Sequence, residues 1–273
     1  MNKELVVKSN HVIEASYRLT LSEQRLILLC VRQIKKGQAV DKTDTFEVSA
    51  TDFAEMFDIS ADRAYSELQA VADRLYERSV TVQQPDPENP RIAATKTRWV
   101  CSISYIPTEG RIALSFAPKM LPYIAMLENG FTRYNLEHIA PMSSVYGIRF
   151  YEFFKCWLRS GVHGEKRLSL DELKEKLDLT DKYPSIKDFK LKVLDRAMSD
   201  INEHSDLSTR YRTAKTGRRI THVEFTFTVR EPEAKGKAVK GKAQPVIDEA
   251  LIRREARPGE TWEQVRQRLS KAE

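Results

Sequence analysis

Two segments of the chain, residues 46–60 and residues 166–180, carry the same order of apolar and polar positions without a gap. An internal echo of this length constrains the fold strongly, because it indicates two copies of one structural unit. The coinciding apolar pairs are Val48/Leu168, Phe53/Leu173, Phe57/Leu177 and Ile59/Leu179, and the identical pairs are Ser49/Ser169, Glu55/Glu175 and Asp58/Asp178. Each segment is typical of a short strand, an N-cap and a two-turn helix, and we expect Thr51 or Asp171 to cap its helix.

The residues around the two segments also follow one order. A longer apolar helix precedes each segment, predicted over residues 21–35 and 143–159, and an amphipathic helix follows it. One face of the second long helix carries Phe150, Phe153, Phe154, Trp157 and Leu158, and this spacing indicates core packing rather than a ligand site. Each half then has two β segments around a turn. In the first half residues 98–106 and 111–116 flank a turn at residues 107–110, and in the second half residues 208–213 and 220–229 flank a turn that contains Gly217. The stripes of the amphipathic helices are Ala64, Leu68, Val71 and Leu75, and Ile186, Phe189, Val193, Ala197 and Ile201. This order predicts an α+β fold with two tandem winged-helix domains (helix-turn-helix plus β-hairpin) related by an internal pseudo-repeat.

The length of 273 residues, with 41% apolar residues, suits two modest domains. We place an N-terminal winged-helix domain at residues 1–130 and a C-terminal one at residues 131–230. Residues 231–245 are rich in Lys, Gly and Ala, which predicts a basic linker that buries too little apolar surface to order itself. Residues 246–254 and 261–271 could form short helices, so we interpret residues 231–273 as a basic linker and a short helical tail, with disorder left open.

The charge balance favours a polyanionic partner. The net charge is +6 and the pI about 9.1, which suits nucleic acid or an anionic membrane surface. The longest apolar run, residues 26–31, is far shorter than the roughly 20 residues of a membrane span, and the first residues do not resemble a secretory signal. The cysteines Cys30, Cys101 and Cys156 are too scattered for a C-x-x-C motif or a disulfide framework. We therefore expect a cytoplasmic protein without a membrane partner.

The helix after Pro184 is the candidate for reading DNA, because the second helix of a helix-turn-helix enters the major groove. Lys can donate to guanine, Asp can accept from cytosine N4, and Leu can contact the methyl group of thymine. Lys190 projects closer to the buried stripe and is a better candidate for a phosphate contact. A solvated helix face has a similar mixture of charges, so this helix alone does not decide the function. The outward residues are Ser185, Asp188, Lys192 and Asp195, with Lys187 and Leu191 on the flank.

The hairpin after this helix strengthens the DNA-binding hypothesis. Residues 208–219 contain five cations and no carboxylate, which suits contact with phosphates or with the adjacent minor groove. The five cations are Arg210, Arg212, Lys215, Arg218 and Arg219. The first half offers Arg63, Ser66 and Gln69 on its second helix and Arg91, Lys96 and Arg98 on its strands. We expect this half to contact the DNA backbone, a second site or another copy of the chain.

Enzyme motifs are absent from the sequence. The five histidines form no H-x-H or H-E-x-x-H pair, which argues against a metal-dependent nicking nuclease, and there is no G-x-x-x-x-G-K-[ST] loop. We therefore predict neither a catalytic residue nor a metal site nor a cofactor, and a function other than catalysis.

Several segments resemble plasmid replication initiators (Rep proteins) of the iteron-binding type. The resemblance is co-linear and covers roughly residues 4–230. The segments that carry it are residues 7–27, 150–154 (FYEFF), 168–174 (LSLDELK), 187–194 (KDFKLKVL) and 216–227 (TGRRITHVEFTF). It implies that the main DNA-contacting unit comprises Asp188, Leu191 and Lys192 with the wing residues Lys215, Arg218 and Arg219.

The resemblance also implies partners and a biological role. Monomers of such initiators bind direct repeats at the origin, help to open it and recruit the host replication initiator and helicase. Dimers repress their own gene through an inverted repeat, and the N-terminal domain forms much of the dimer contact. Our leading hypothesis is a plasmid replication initiator. The alternatives are a dedicated winged-helix transcriptional repressor and, as a third, a rolling-circle nicking enzyme.

Overall fold

The computed structural model describes residues 5–34, 38–57, 60–83, 91–125 and 130–230, together with Thr261 and Gln264. The linker and tail predicted for residues 231–273 therefore lie outside the described residues, apart from those two. The described residues up to Arg230 belong to one unit.

The first half opens with a strand and a short helix and then follows the predicted order of helix, strand, two helices and hairpin. Its elements are β1 (Leu5–Ser9), α1 (Asn10–Glu14), α2 (Leu21–Val31), β2 (Phe46–Ser49), α3 (Ala50–Phe57), α4 (Ala61–Tyr76), β3 (Ser79–Gln83), β4 (Ala94–Arg98), β5 (Val100–Ile106), β6 (Arg111–Phe116), α5 (Leu121–Ile124) and β7 (Phe131–Asn135). Strands β2, β6 and β5 form an antiparallel sheet in that spatial order. Strand β2, which precedes the two helices, therefore pairs with β6, the second strand of the hairpin.

The second half repeats this arrangement. Its elements are α6 (Val145–Leu158), β8 (His163–Ser169), α7 (Leu170–Lys176), α8 (Ile186–Phe189), α9 (Arg196–His204), β9 (Leu207–Thr216) and β10 (Arg219–Val229). Its antiparallel sheet has the order β8-β10-β9, which is the order of the first sheet. The two sheets share one topology, and the predicted pseudo-repeat of two winged-helix units is confirmed.

The caps of the short helices lie two residues before the predicted positions. The backbone N–H of Asp52 donates to Ser49 Oγ at 2.9 Å, and that of Glu172 donates to Ser169 Oγ at 3.1 Å. The prediction of Thr51 and Asp171 as caps is wrong, because both residues lie within the first helical turn. Strand runs directly into helix at both places, so the last strand residue has the extended conformation that a cap requires.

The first hairpin begins later than the sequence pattern indicates. The pattern predicts a strand from Arg98, but Arg98 ends β4, which pairs with β3 in a separate two-stranded sheet. The cause is Trp99, whose side chain is buried. Its backbone N–H donates to Arg78 O at 3.3 Å, and its carbonyl accepts from Ala117 N–H at 3.0 Å, so the chain changes sheets there.

Helix α2 ends at Val31, before the predicted end. Thr20 caps its N-terminus in a capping box with Glu23, as expected for a polar residue before an apolar helix. Gln33 N–H donates to Cys30 O and Ile34 N–H to Val31 O, so the chain tightens into a turn with shorter-range bonds. Lys35, the predicted last residue, lies outside the described residues.

Aromatic side chains of α6 fill the core of the second unit. The ring of Phe154 stacks on that of Phe227 with centroids 4.7 Å apart, and Phe150 lies 5.3 Å from Phe225. All four are buried, and burial of each ring stabilises the fold by roughly 1.5–3 kcal/mol. The prediction that the α6 aromatics belong to the core is confirmed for Phe150, Phe153 and Phe154, and Trp157 is half-buried against the core.

Polar contacts join the two halves. Strand β1 pairs antiparallel with β7, so the contact crosses the domain boundary predicted after residue 130, and that boundary stays a prediction. The buried guanidinium of Arg149 donates to the carbonyls of Ile13, Ala15 and Lys176 at 3.0, 2.9 and 3.1 Å. One α6 side chain thus binds backbone from both winged-helix units.

Candidate nucleic-acid interface

The amphipathic helix of the second unit consists of α8, a π-helical turn at Lys190–Asp195, and α9. We call residues 186–204 the reading helix. Its predicted apolar stripe is confirmed, because Phe189, Val193, Ala197 and Ile201 are buried and Ile186 is half-buried. The stripe faces α6 and β9, which leaves the opposite face to solvent.

The predicted outward residues lie on this solvent face. Ser185, Lys187, Leu191, Lys192 and Asp195 are exposed, and Asp188 is half-buried. Lys192 Nζ lies 3.6 Å from Asp188 Oδ1, one helical turn away. An exposed pair of this kind contributes about 0–1 kcal/mol, so both side chains can exchange it for contacts with bases at little cost. Leu191 is 61% exposed, an unusual position for a large apolar side chain and one that suits contact with a methyl group.

The reading helix is tied to the neighbouring strand β9 through Tyr211. The Tyr211 hydroxyl donates to Asp195 Oδ1 at 2.5 Å, and Lys190 Nζ lies 6.0 Å from the centre of the tyrosine ring. Burial, followed by the bond to Asp195, raises the pKa of Tyr211, so the hydroxyl remains a donor at neutral pH. Lys190 is half-buried, as its position near the stripe predicted.

Sequence reasoning did not single out Arg196 and Ser199, which are also exposed on this face. The signal was present, since each follows a predicted outward residue, Lys192 or Asp195, by four positions. It also missed the π-helical turn, which carries no comparable sequence signal. Turns of this kind are frequent at functional sites, and this one coincides with the centre of the candidate reading face.

The tip of the second hairpin is a cluster of cations. Gly217 has a left-handed φ of 62° and turns the chain between β9 and β10. Lys215, Arg218 and Arg219 are exposed around it, and none of them forms an ion pair with the residues that the structure describes. We call residues 215–219 the wing tip. Its charge is available to an anionic partner.

Arg212 differs from the wing-tip cations. Residues 208–219 contain no carboxylate, but β10 places Glu224 directly opposite Arg212. Arg212 Nε lies 2.5 Å from Glu224 Oε2, and Arg167 Nη1 lies 3.4 Å from Glu224 Oε1. The hydrogen bond from Arg212 holds the pKa of Glu224 below its ordinary value. Arg210 is exposed on the same sheet face and has no ion-pair partner among the described residues, which makes it the freer phosphate candidate.

The first unit presents fewer available groups. Arg63 and Ser66 are exposed on α4, and the Ser66 hydroxyl donates to the Arg63 carbonyl at 3.0 Å. Gln69 is half-buried and donates to the Tyr65 hydroxyl. Arg98 is held at the end of α4, because its Nη1 lies 2.7 Å from both the Tyr76 carbonyl and Glu77 Oε2. The guanidinium of Arg63 is therefore more available to a DNA partner than that of Arg98.

The described residues contain neither a candidate metal site nor a helix that could span a membrane. No group of three His, Cys, Asp or Glu side chains in that part of the chain is arranged to hold a metal ion. No helix in the same part is long and apolar enough to cross a membrane.

Comparison with known proteins gives consistent matches. Residues 5–155 match the family model described as "Initiator Replication protein, WH1", and residues 169–227 match "Initiator Rep protein, WH2". The chain is 28% identical over 215 residues to the Replication initiation protein of Escherichia coli, covering 76% of this chain and 65% of that protein. It is 25% identical to the PI protein of Escherichia coli, covering 86% of this chain and 87% of the relative.

A solved structure supports the fold. The crystal structure of the Pi initiator protein in complex with iteron DNA superposes with a TM-score of 0.70 at 24% identity, covering 85% of this chain and 99% of that chain. The family descriptions name the two winged-helix parts in the order in which the two units occur in this chain. The chain therefore belongs to the initiator replication protein family.

Proposed function

We propose that the chain is a plasmid replication initiator that binds direct repeats (iterons) of double-stranded DNA, with the second winged-helix unit as its main reader. The observation that carries the proposal is the solvent face of the reading helix beside the wing tip, whose three cations form no ion pair with the residues that the structure describes. The similarity to an initiator crystallised with iteron DNA supports it, since that protein shares the two-unit fold. The reading helix occupies the major groove, and the wing tip contacts the flanking phosphates.

The side chains divide into base readers and backbone contacts. Lys192 donates to guanine, Asp188 accepts from cytosine N4, and Leu191 contacts a thymine methyl group. Ser185 and Lys187 lie at the start of the helix. Lys190, Arg210, Lys215, Arg218 and Arg219 neutralise phosphates, with Arg212 in a lesser role because of Glu224.

The remaining steps of initiation extend the same proposal. Residues 131–230 recognise DNA, while residues 1–130 dimerise and add contacts through Arg63, Ser66 and Arg98. Monomers open the origin and recruit the host replication initiator and helicase, and dimers repress the chain's own gene through an inverted repeat. The proposal needs no catalytic group, which agrees with the absence of enzyme motifs from the sequence.

Footprinting on the DNA that flanks the chain's own gene tests this function. We expect several protected segments of the same sequence, in the same orientation, at a constant spacing set by the helical repeat of DNA. Protection of a single inverted repeat alone would contradict an initiator and favour the dedicated repressor. Cleavage of supercoiled DNA in the presence of Mg²⁺ would instead support a nicking enzyme.

The substitution Arg218→Ala is expected to weaken binding to all DNA by a similar factor. A phosphate contact carries no sequence information, so the ratio of cognate to random affinity should not change. The slope of log K against log salt should become shallower by about one. The control is Lys119→Ala, which removes an exposed lysine outside the proposed interface. A changed cognate-to-random ratio with an unchanged slope would show that Arg218 reads a base instead.

A further inference from the structure

A polar cleft separates the two winged-helix units. Its volume is about 620 Å³. One wall comprises the residues that follow α4 together with β3 and β4, and the other comprises the turn between α7 and α8. The segment from Ser16 to Thr20 forms its floor. The cleft is thus shared by both halves of the molecule.

The two walls are held at a fixed separation by Ser16. Its backbone exchanges two hydrogen bonds with Thr81 of β3, both 2.9 Å long. Its hydroxyl donates to the carbonyl of Glu175 in α7 at 2.5 Å. The cleft therefore exists before any ligand arrives and requires no closure of one unit on the other.

The charges that line the cleft do not cancel. Glu77 pairs with Arg98 at 2.7 Å, and Arg18 lies 3.5 Å from Asp178 and 3.1 Å from Asp181. Arg78 binds the buried Glu23 through two hydrogen bonds of 2.9 and 3.0 Å.

Two ammonium groups remain once these pairs are formed. Lys96 and Lys182 line the same cleft and are exposed. Neither forms an ion pair within the part of the chain that the structure describes. One of them comes from each wall, and the charged groups that line the cleft, taken with their ion-pair partners among the described residues, keep a net positive charge.

The two lysines belong to different winged-helix units. Lys96 is on β4 opposite Thr81, on the hairpin that follows α4. Lys182 is in the turn that leads into the reading helix at Ile186. A DNA strand bound by both units would have to cross from one unit to the other, and the cleft lies at that boundary with one lysine on each side.

We propose that this cleft binds the phosphodiester backbone between the two units, with Lys96 and Lys182 as its charged contacts. The inference rests on the proposed function and deepens it, because it identifies where both units hold one strand. A small anion would be bound weakly by two exposed ammonium groups in water. A DNA strand presents several linked phosphates at once, and the counterions that it releases favour the contact.

The test is the double variant Lys96→Ala/Lys182→Ala in the full chain. The slope of log K against log salt should become shallower by about two, because each neutralised phosphate contributes about 0.9. The ratio of cognate to random affinity should stay unchanged. The matched control, Lys42→Ala/Lys119→Ala, removes two exposed lysines that do not line the cleft and should keep the wild-type slope. Thermal melting of both variants checks that the fold is intact.

Two results would overturn the inference. One is a double variant with the same slope as the control. The other is that millimolar inorganic phosphate, at constant ionic strength, competes with DNA for binding to the wild type but not to the double variant. The cleft would then be a site for a small anion. A different result would refute the proposed function: a wild-type chain that shows no preference for any repeat near its gene. If the wild type prefers the repeat but the double variant has the same slope as the control, only the proposed role of the cleft is refuted.

Discussion

Lys8→Met is expected to lower the free energy of unfolding by about 3–5 kcal/mol, the cost of leaving one partner of a buried ion pair alone. Lys8 Nζ lies 2.7 Å from Glu152 Oε1, and both side chains are almost completely buried. Burial lowers the pKa of Lys8, and the neighbouring Glu152 opposes this shift. The Tyr134 hydroxyl also donates to Glu152 Oε1, but it is neutral and does not replace the lost charge. Urea denaturation followed by circular dichroism measures the loss.

A second variant separates the charge effect from lost packing. Lys8→Met/Glu152→Gln removes the buried charge together with its partner and should recover a large part of the lost stability. Lys119→Met, at an exposed position, should change stability by less than about 0.5 kcal/mol. If Lys8→Met were as stable as the wild type, or the double variant no more stable than the single one, the buried pair would not stabilise the fold through its charges.

The Lys8–Glu152 ion pair connects the two winged-helix units. Lys8 is on β1 and Glu152 is on α6, so the pair joins the start of the first unit to the long helix of the second. Arg149, one helical turn from Glu152, binds backbone from both units. The two winged-helix units therefore unfold together, and we expect a single denaturation transition in the wild-type chain.

Lys192→Ala is expected to reduce affinity for the cognate repeat by roughly 5- to 150-fold, the equivalent of about 1–3 kcal/mol for one good side-chain contact with a base. Its present partner, the half-buried Asp188, lies 3.6 Å away and binds it weakly, so DNA competes easily for Lys192. Affinity for random DNA should fall much less, because a base contact contributes little to non-specific binding. Titration of both DNAs at one salt concentration gives the two numbers. Lys119→Ala is the matched control, and a cognate-to-random ratio equal to that of the wild type would refute the placement of the reading face.

The elements that sequence analysis predicted are those defined by local periodicity. The stripes of α4 and the reading helix, the two hairpins and the aromatic core of α6 all follow from spacings within one segment. The echo between residues 46–60 and 166–180 then added the long-range information that one unit is used twice. Pairing of β1 with β7 was not predictable in this way, because its partners lie far apart in the chain and neither strand has a strong alternating pattern.

The candidate site was predictable to a similar extent. Exposure of Lys187, Leu191 and Lys192 follows from the position of the apolar stripe. The pairing of Arg212 with Glu224 depends on strand register, and that of Arg98 with Glu77 on a contact between helix and strand, so neither is visible in composition. The cap positions depended on whether a loop separates strand from helix, and the pattern of apolar positions does not show this.

The most direct test of the central claim, that the face around Lys192 reads bases, is a position-by-position binding profile. Wild-type chain and Lys192→Ala are titrated against the footprinted repeat and against every single base-pair change in it. We expect the variant to lose discrimination at one or two adjacent positions, at least one of them a G·C pair, and to keep the wild-type profile elsewhere. An identical profile for the two proteins, shifted only by a constant factor, would contradict the claim.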